Sequence, residues 1–348
     1  MAFDHKHYVP ILKGKRAEFS ALGFLMSKGG ITPLIEVVPS VGAEQTPRRM
    51  AAAQWPVNQP YFMDVFFLDD PDDTVTPAPP THPVRLCFAE VIAQGQIAVP
   101  VTGFSRSPGY QNAIQQVIAE QGNGFVLRLT TEDFEDVEAL EVGLDVIPNY
   151  FNVDRAQIDL LLDIESVANS STGTVAQMHR ANIDLIPNLG EWRTLTVASS
   201  AFPLGLAPLE RNQWNPAPRF DWRGWRALTT ASKRPSRLPA YSDYAIAHPA
   251  LPPEGIATIL AQLRYTTTDS WLIWKGRNAI TDGFDQFFAI CADIVNRPEY
   301  RGAGFSWGDA EIAQRASNVG SSGNAQTWRQ IGTSHHLETV LDQIASLP

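Results

Sequence analysis

The chain has 348 residues, 44% hydrophobic and 18% charged, with a formal net charge of −10; this composition argues against intrinsic disorder and allows an unstapled core. The acidic balance argues against a general nucleic-acid coat or an anionic-membrane binder, which rely on broad positive fields, but not against a small basic pocket. Cys87 and Cys291 are the only cysteines, which excludes a disulfide framework and a cysteine-rich zinc site.

In chain order, a polar start at 1–8 carries no signal-peptide core. Short apolar runs then recur over 8–13 (YVPILK), 32–38, 61–67, 97–102, 125–129, 158–163 (IDLLLD), 195–199 and 238–243, with successive starts 24 to 43 residues apart. That spacing is a strand, a loop and a helix. The segments 18–28, 109–121, 131–144 and 167–182 read as helices, with Thr131 capping the acidic turn Glu132-Asp133. The acidic, proline-rich stretch 69–80 reads as an exposed excursion. Beyond the eighth run come 257–265, 270–276 (SWLIWKG), an apolar stretch 284–295, and a Gly- and Trp-rich tail from 301. In that tail Asp309 is expected to cap a helix over 310–316, and Thr333-Ser334 a last helix near 337–344.

Near-continuous apolar strands alternating with helices imply a parallel sheet covered on its outer face. Eight such units imply an α/β fold, a (β/α)8 TIM-like barrel over 1–250, with a C-terminal elaboration over 251–348 packed on it as one compact unit. No G-x-G-x-x-G follows the first strand to support a dinucleotide-binding sheet. No run of about 18 apolar residues exists, so nothing is expected to span a membrane, and a cytoplasmic location follows.

Side chains alternate along a strand, so parity sorts them by face. Lys13 goes with Ile11, Glu36 with Leu34, Asp64 with Phe62, Arg128 with Val126 and Asp163 with Leu161; Glu165 continues that set. Ser199 goes with Val197 and Asp243 with Tyr241. In a barrel these strand ends converge on the C-terminal mouth, where barrel enzymes place their sites. Glu36, Asp64 and Asp163 are therefore the candidate catalytic residues. Glu36 in particular should find Lys13, Lys15 or Arg128 within hydrogen-bond reach, because an unpaired buried carboxylate is costly.

The same carboxylates could hold a hard divalent cation such as Mg²⁺; the cofactor is otherwise unknown. Lys13-Gly14-Lys15 carries two of the six lysines. With Arg128, Arg264 and Lys275 it would make a cationic pocket for phosphate or carboxylate groups, Gly14 letting the backbone approach a ligand. Lys13, Lys15, Arg128, Arg264 and Asp243 are the candidate ligand-binding residues. The plainer reading is that mouth charges simply neutralise one another. His335-His336 point apart on a helix and read as packing rather than metal ligands.

The segments 8–22 (YVPILKGKRAEFSAL), 32–39 (TPLIEVVP), 242–246 (SDYAI), 263–266 (LRYT), 304–309 (GFSWGD) and 328–338 (WRQIGTSHHLE) together resemble the beta protein family of phages and bacteria, named after a T4 phage protein. The resemblance spans the chain and implies a barrel-like fold and a role in phage biology or antiphage defence. It transfers no mechanism. Two readings follow: a barrel that binds or processes a small anionic ligand, a nucleotide among the candidates, at its mouth; or a protein-interaction scaffold using Trp222, Trp225, Trp307 and Trp328.

Overall fold

A computed structural model describes residues 2–70, 82–251 and 260–347. The strands, in chain order, are β1 (Ile11–Lys13), β2 (Leu34–Glu36), β3 (Tyr61–Asp64), β4 (Ala98–Thr102), β5 (Phe125–Thr130), β6 (Ile158–Ser166), β7 (Thr194–Ser200), β8 (Gln213–Pro218), β9 (Ala240–Ser242), β10 (Leu260–Thr266) and β11 (Ser270–Asn278). The helices are α1 (Arg16–Gly23), α2 (Gln45–Ala52), α3 (Pro83–Ala93), α4 (Pro108–Gln121), α5 (Val137–Phe151), α6 (Thr172–Asp184), α7 (Phe220–Thr230), α8 (Gln286–Ile294), α9 (Trp307–Ala316) and α10 (Ala325–Ala345).

All eight expected strands form, and they pair in parallel in the order β1-β2-β3-β4-β5-β6-β7-β9. Backbone bonds from the Val9 amide to the Tyr241 carbonyl (2.9 Å) and from the Ile11 amide to the Asp243 carbonyl (2.7 Å) join the last strand to the first. The result is a TIM-like barrel. Its lumen is filled by Val9, Ile11, Leu34, Phe62, Val99, Val126, Leu161, Ala198 and Tyr244. The opposite parity of each strand packs outward against the helices, as Leu12, Ile35, Met63, Leu127, Leu160, Val197 and Tyr241 do.

β8 lies within the expected barrel span but pairs with β11, giving an antiparallel sheet β10-β11-β8 outside the barrel. This sheet has its own core with α8, α9 and α10, built on Leu263, Tyr265, Phe287, Ile290, Ile312, Trp328 and Ile331. Trp271, Ile273 and Phe202 join it to the barrel top.

Several local expectations are corrected. α1 stops at Gly23 rather than continuing to 28. The helix expected over 131–144 is a short 3-10 turn, Thr131–Phe134, then α5. Thr130, not Thr131, caps that turn, because its side chain and that of Asp133 bond each other's backbone amides. Asp136 caps α5. Ser306 caps α9, so Asp309 sits inside the first turn. α10 begins after the Asn324 cap, which places Thr333 and Ser334 mid-helix. Most of the expected 69–80 excursion lies outside the described residues. Trp222, Trp225 and Trp328 are buried, which removes them as an exposed interaction surface.

Candidate functional site

At the C-terminal ends of the barrel strands, the inward parity delivers Lys13, Glu36, Asp64, Arg128 and Asp163 to one buried network. Arg128 on β5 is its centre. Nη1 donates to Glu36 Oε1 at 2.9 Å and to Asp64 Oδ2 at 2.8 Å. Nε and Nη2 donate to Asp163 Oδ2 at 3.1 and 2.7 Å, and Nη2 reaches the Tyr244 hydroxyl oxygen at 2.6 Å. The Tyr244 hydroxyl donates in turn to Asp163 Oδ2. Lys13 Nζ donates to Glu36 Oε2 and to the Pro249 carbonyl. Glu36 therefore points inward and is paired as its strand register requires.

The electrostatics follow from this pairing. Burial disfavours a charged Arg128, but Tyr244, Asp163, Glu36 and Asp64 outweigh it and lift its proton affinity. Burial likewise pushes Asp64 up, but Arg106 and Arg128 hold it below the usual carboxylate range. Arg106, from the loop after β4, lies 3.3 Å from Asp64 Oδ2 and stacks on Phe66, 4.1 Å from the ring centre. Three cations, Lys13, Arg106 and Arg128, thus face three carboxylates, Glu36, Asp64 and Asp163. Among the described residues no group of three His, Cys, Asp or Glu could hold a metal ion, so the Mg²⁺ expectation gains no support.

Above this network is a cavity of about 640 Å³, lined by Arg106, Arg128, Tyr244, Glu165, Glu132 and His248 among others. Glu165 is exposed to it and makes no ion pair with any described residue. Its backbone is left-handed at φ 54°, rare for a non-glycine residue. Burial, then Asp163, raises its carboxyl above the ordinary range, with Arg128 opposing.

A second pocket of about 450 Å³ adjoins the mouth and shares His248 and Ala250 with it. Its charged lining is Lys13, Lys15, Arg16, Glu18, Arg264 and Arg329. Arg264, on β10, donates to Gln262 Oε1 (3.0 and 2.8 Å) and to the Ile246 carbonyl (2.5 Å), and lies 4.6 Å from the Phe202 ring centre. It has no carboxylate partner among the described residues. Burial and neighbouring Arg329 push its proton affinity well down, with Glu18 opposing.

The expected site residues therefore divide. Lys13, Arg128, Glu36, Asp64 and Asp163 meet at the mouth, while Lys15 and Arg264 line the adjoining pocket, which Lys13 also borders. Asp243 is corrected: it faces the outer layer, where it accepts from Tyr8 (2.6 Å), Tyr241 (3.0 Å) and the Ala245 amide (2.9 Å) and meets His336 Nε2 at 2.9 Å. Ser199 also turns outward, 3.3 Å from His179 on α6. On β7 and β9 the lumen takes the other parity, Ala198 and Tyr244. Lys275 is corrected too; on β11 of the small sheet, it donates to the Ala207 and Leu209 carbonyls of the loop before β8. Gly14 serves strand approach rather than a ligand: its amide donates to the Glu36 carbonyl at 2.7 Å, and a Cβ there would lie 3.0 Å from that oxygen.

Sequence reasoning missed Tyr244, Arg106, Arg329 and Glu18. Counting parity from Ala240 rather than Tyr241 would have found Tyr244. No local pattern marks the others.

Comparison with curated proteins finds no match. The family model described as Beta protein matches residues 8–342, and the chain, barrel and C-terminal elaboration together, belongs to the Beta protein family.

Proposed function

We propose that this protein binds a small anionic ligand, phosphate- or carboxylate-bearing and with nucleotides among the candidates, on the C-terminal face of its barrel. The anionic group occupies the rim pocket and the rest of the ligand extends into the mouth cavity. The observation that carries this reading is Arg264, a part-buried guanidinium facing a pocket with Lys15, Arg16 and Arg329 and paired with no carboxylate of the described chain. A desolvated cation without a counter-charge is costly, and a bound anion supplies the missing one. The mouth cations Lys13 and Arg128 are already neutralised and contribute shape rather than free charge. Glu36, Asp64 and Asp163 act by fixing Arg128 and Tyr244. Glu165, like Glu132, lines the mouth without an ion pair to any described residue and can exchange a proton with a ligand. A setting in phage biology or antiphage defence is carried by the family resemblance alone.

Calorimetric titration with inorganic phosphate and with a nucleoside monophosphate tests the reading. Binding is expected, and a Lys15→Ala/Arg329→Ala variant should weaken it at least about tenfold, as two charge-assisted contacts require. No binding of either probe, or an unchanged affinity in a folded variant, overturns it.

A further inference from the structure

Glu18 is out of place in a cationic pocket. It sits in the first turn of α1, where an acid ordinarily stabilises the helix dipole or folds back onto the cap amide. Neither end is completed by a capping box: the Lys15 amide is taken by the Lys13 carbonyl at 2.6 Å, and no side chain caps α1. Glu18 is only 7% exposed, and its Oε2 is shut off from solvent with no hydrogen-bond partner among the described residues. Arg264 is near enough to feel its charge, yet no ion pair within 4.0 Å joins them among the described residues. Glu18 lines the same pocket as Lys15, Arg16, Arg264 and Arg329. A carboxylate oxygen shut in without a donor is costly, so Glu18 is held beside Arg264 at a price, and its other oxygen is the one left to meet a pocket occupant.

From this juxtaposition we infer that the rim pocket selects an anion that itself carries a hydrogen-bond donor: a protonated oxyanion of the phosphate class, not a fully ionised one such as sulfate. This rests on the proposed anion site and assigns its specificity. The cations and the amides of the uncapped first turn of α1 donate to the negative oxygens. Glu18, which when ionised can only accept, takes the O–H. Inorganic phosphate keeps at least one O–H at neutral pH. Sulfate has none, and would bring an anionic oxygen against the carboxylate. A phosphomonoester keeps such a proton only toward and below its second ionisation, near pH ~6, so its binding should strengthen on mild acidification.

The experiment compares inorganic phosphate with sulfate at equal ionic strength, by calorimetry on the full chain. The wild type should bind phosphate at least about tenfold more tightly than sulfate, the size of one charge-assisted hydrogen bond gained against one repulsion. Glu18→Gln, whose amide can donate to sulfate, should raise sulfate affinity and bring the two anions within about threefold. A thermal melt confirms that the variant is folded, and the wild-type ratio needs no variant at all. Equal wild-type affinity for the two anions overturns the selectivity and leaves the anion site standing. Binding of neither anion removes the site itself. A phosphate preference that survives unchanged in folded Glu18→Gln overturns the role of Glu18.

Discussion

At Glu36 the charge matters more than the shape. Its two oxygens face Arg128 and Lys13, and both cations are buried. Glu36→Gln keeps the outline but leaves three cations against two carboxylates. Removing one partner of a buried ion pair costs about 3–5 kcal/mol, and the remaining amide oxygen recovers part of it. The melting temperature should therefore drop clearly, while phosphate binding at the rim follows the folded fraction. An unchanged melting temperature would show that the network is not held by charge. This site was legible because alternation along β1, β2, β3, β5 and β6 is strictly local. Ser199 and Asp243 were misplaced for the same reason: parity yields two sets per strand and does not say which faces the lumen.

At the scale of an element, α10 shows why adjacent histidines can both be structural. His335 Nδ1 lies 2.8 Å from Asp309 Oδ2, and His336 Nε2 lies 2.9 Å from Asp243 Oδ2. Thr266 on β10 meets both rings, its carbonyl 2.7 Å from His335 Nε2 and its hydroxyl 2.9 Å from His336 Nδ1. One helix is thus pinned to the barrel, to α9 and to the small sheet. Burial holds the His336 pKa below its ordinary value; Asp243 opposes, and Arg219 and His335 add to the lowering. A histidine lowered in the folded state binds fewer protons than the unfolded chain, so its contribution is lost as pH falls below ~6.5. Asp243, held down to about 2, adds a second loss as pH falls below the unfolded carboxyl value of ~3.9 toward 2. Denaturant titrations at pH 7 and 5 should show lower stability at pH 5. His336→Gln should be less stable at pH 7 and less sensitive to that change. An equal slope in the variant would remove His336 as the acid-sensitive group.

The whole molecule makes the rim pocket. Its charged residues come from the end of β1 (Lys13), the turn after it (Lys15), the start of α1 (Arg16, Glu18), β10 (Arg264) and the start of α10 (Arg329). The pocket exists only where the C-terminal elaboration docks on the barrel, and that docking is close at Gly332. A Cβ there would lie 2.8 Å from Ile246 Cδ1 and 2.9 Å from the Arg264 carbonyl oxygen. Gly332→Ala should push α10 from β10, costing about 1–3 kcal/mol by overpacking and weakening phosphate binding beyond the loss of folded protein. Gly190→Ala, where a Cβ meets nothing within 4 Å, is the control and should alter neither. Full phosphate affinity in folded Gly332→Ala would show that the pocket does not depend on this contact.

The sequence by itself determined the eight strand units, their alternation with helices, and the inward set on five of the strands. These are properties of residues within a few positions of one another: apolar runs, period-two alternation, and turns between them. Tertiary structure decided the rest. Closure of β9 onto β1 chose which parity of the last strands faces the lumen. Pairing of β8 with β11, across more than fifty residues, took Lys275 out of the site. Lys13, Arg106 and Arg128 found carboxylates, while among the described residues Lys15, Arg16, Arg264 and Arg329 did not, because charge compensation depends on distances in space that spacing along the chain does not encode. Glu18, Arg264 and Arg329 carry no shared local pattern; they meet only because α10 and β10 fold back over the first helix.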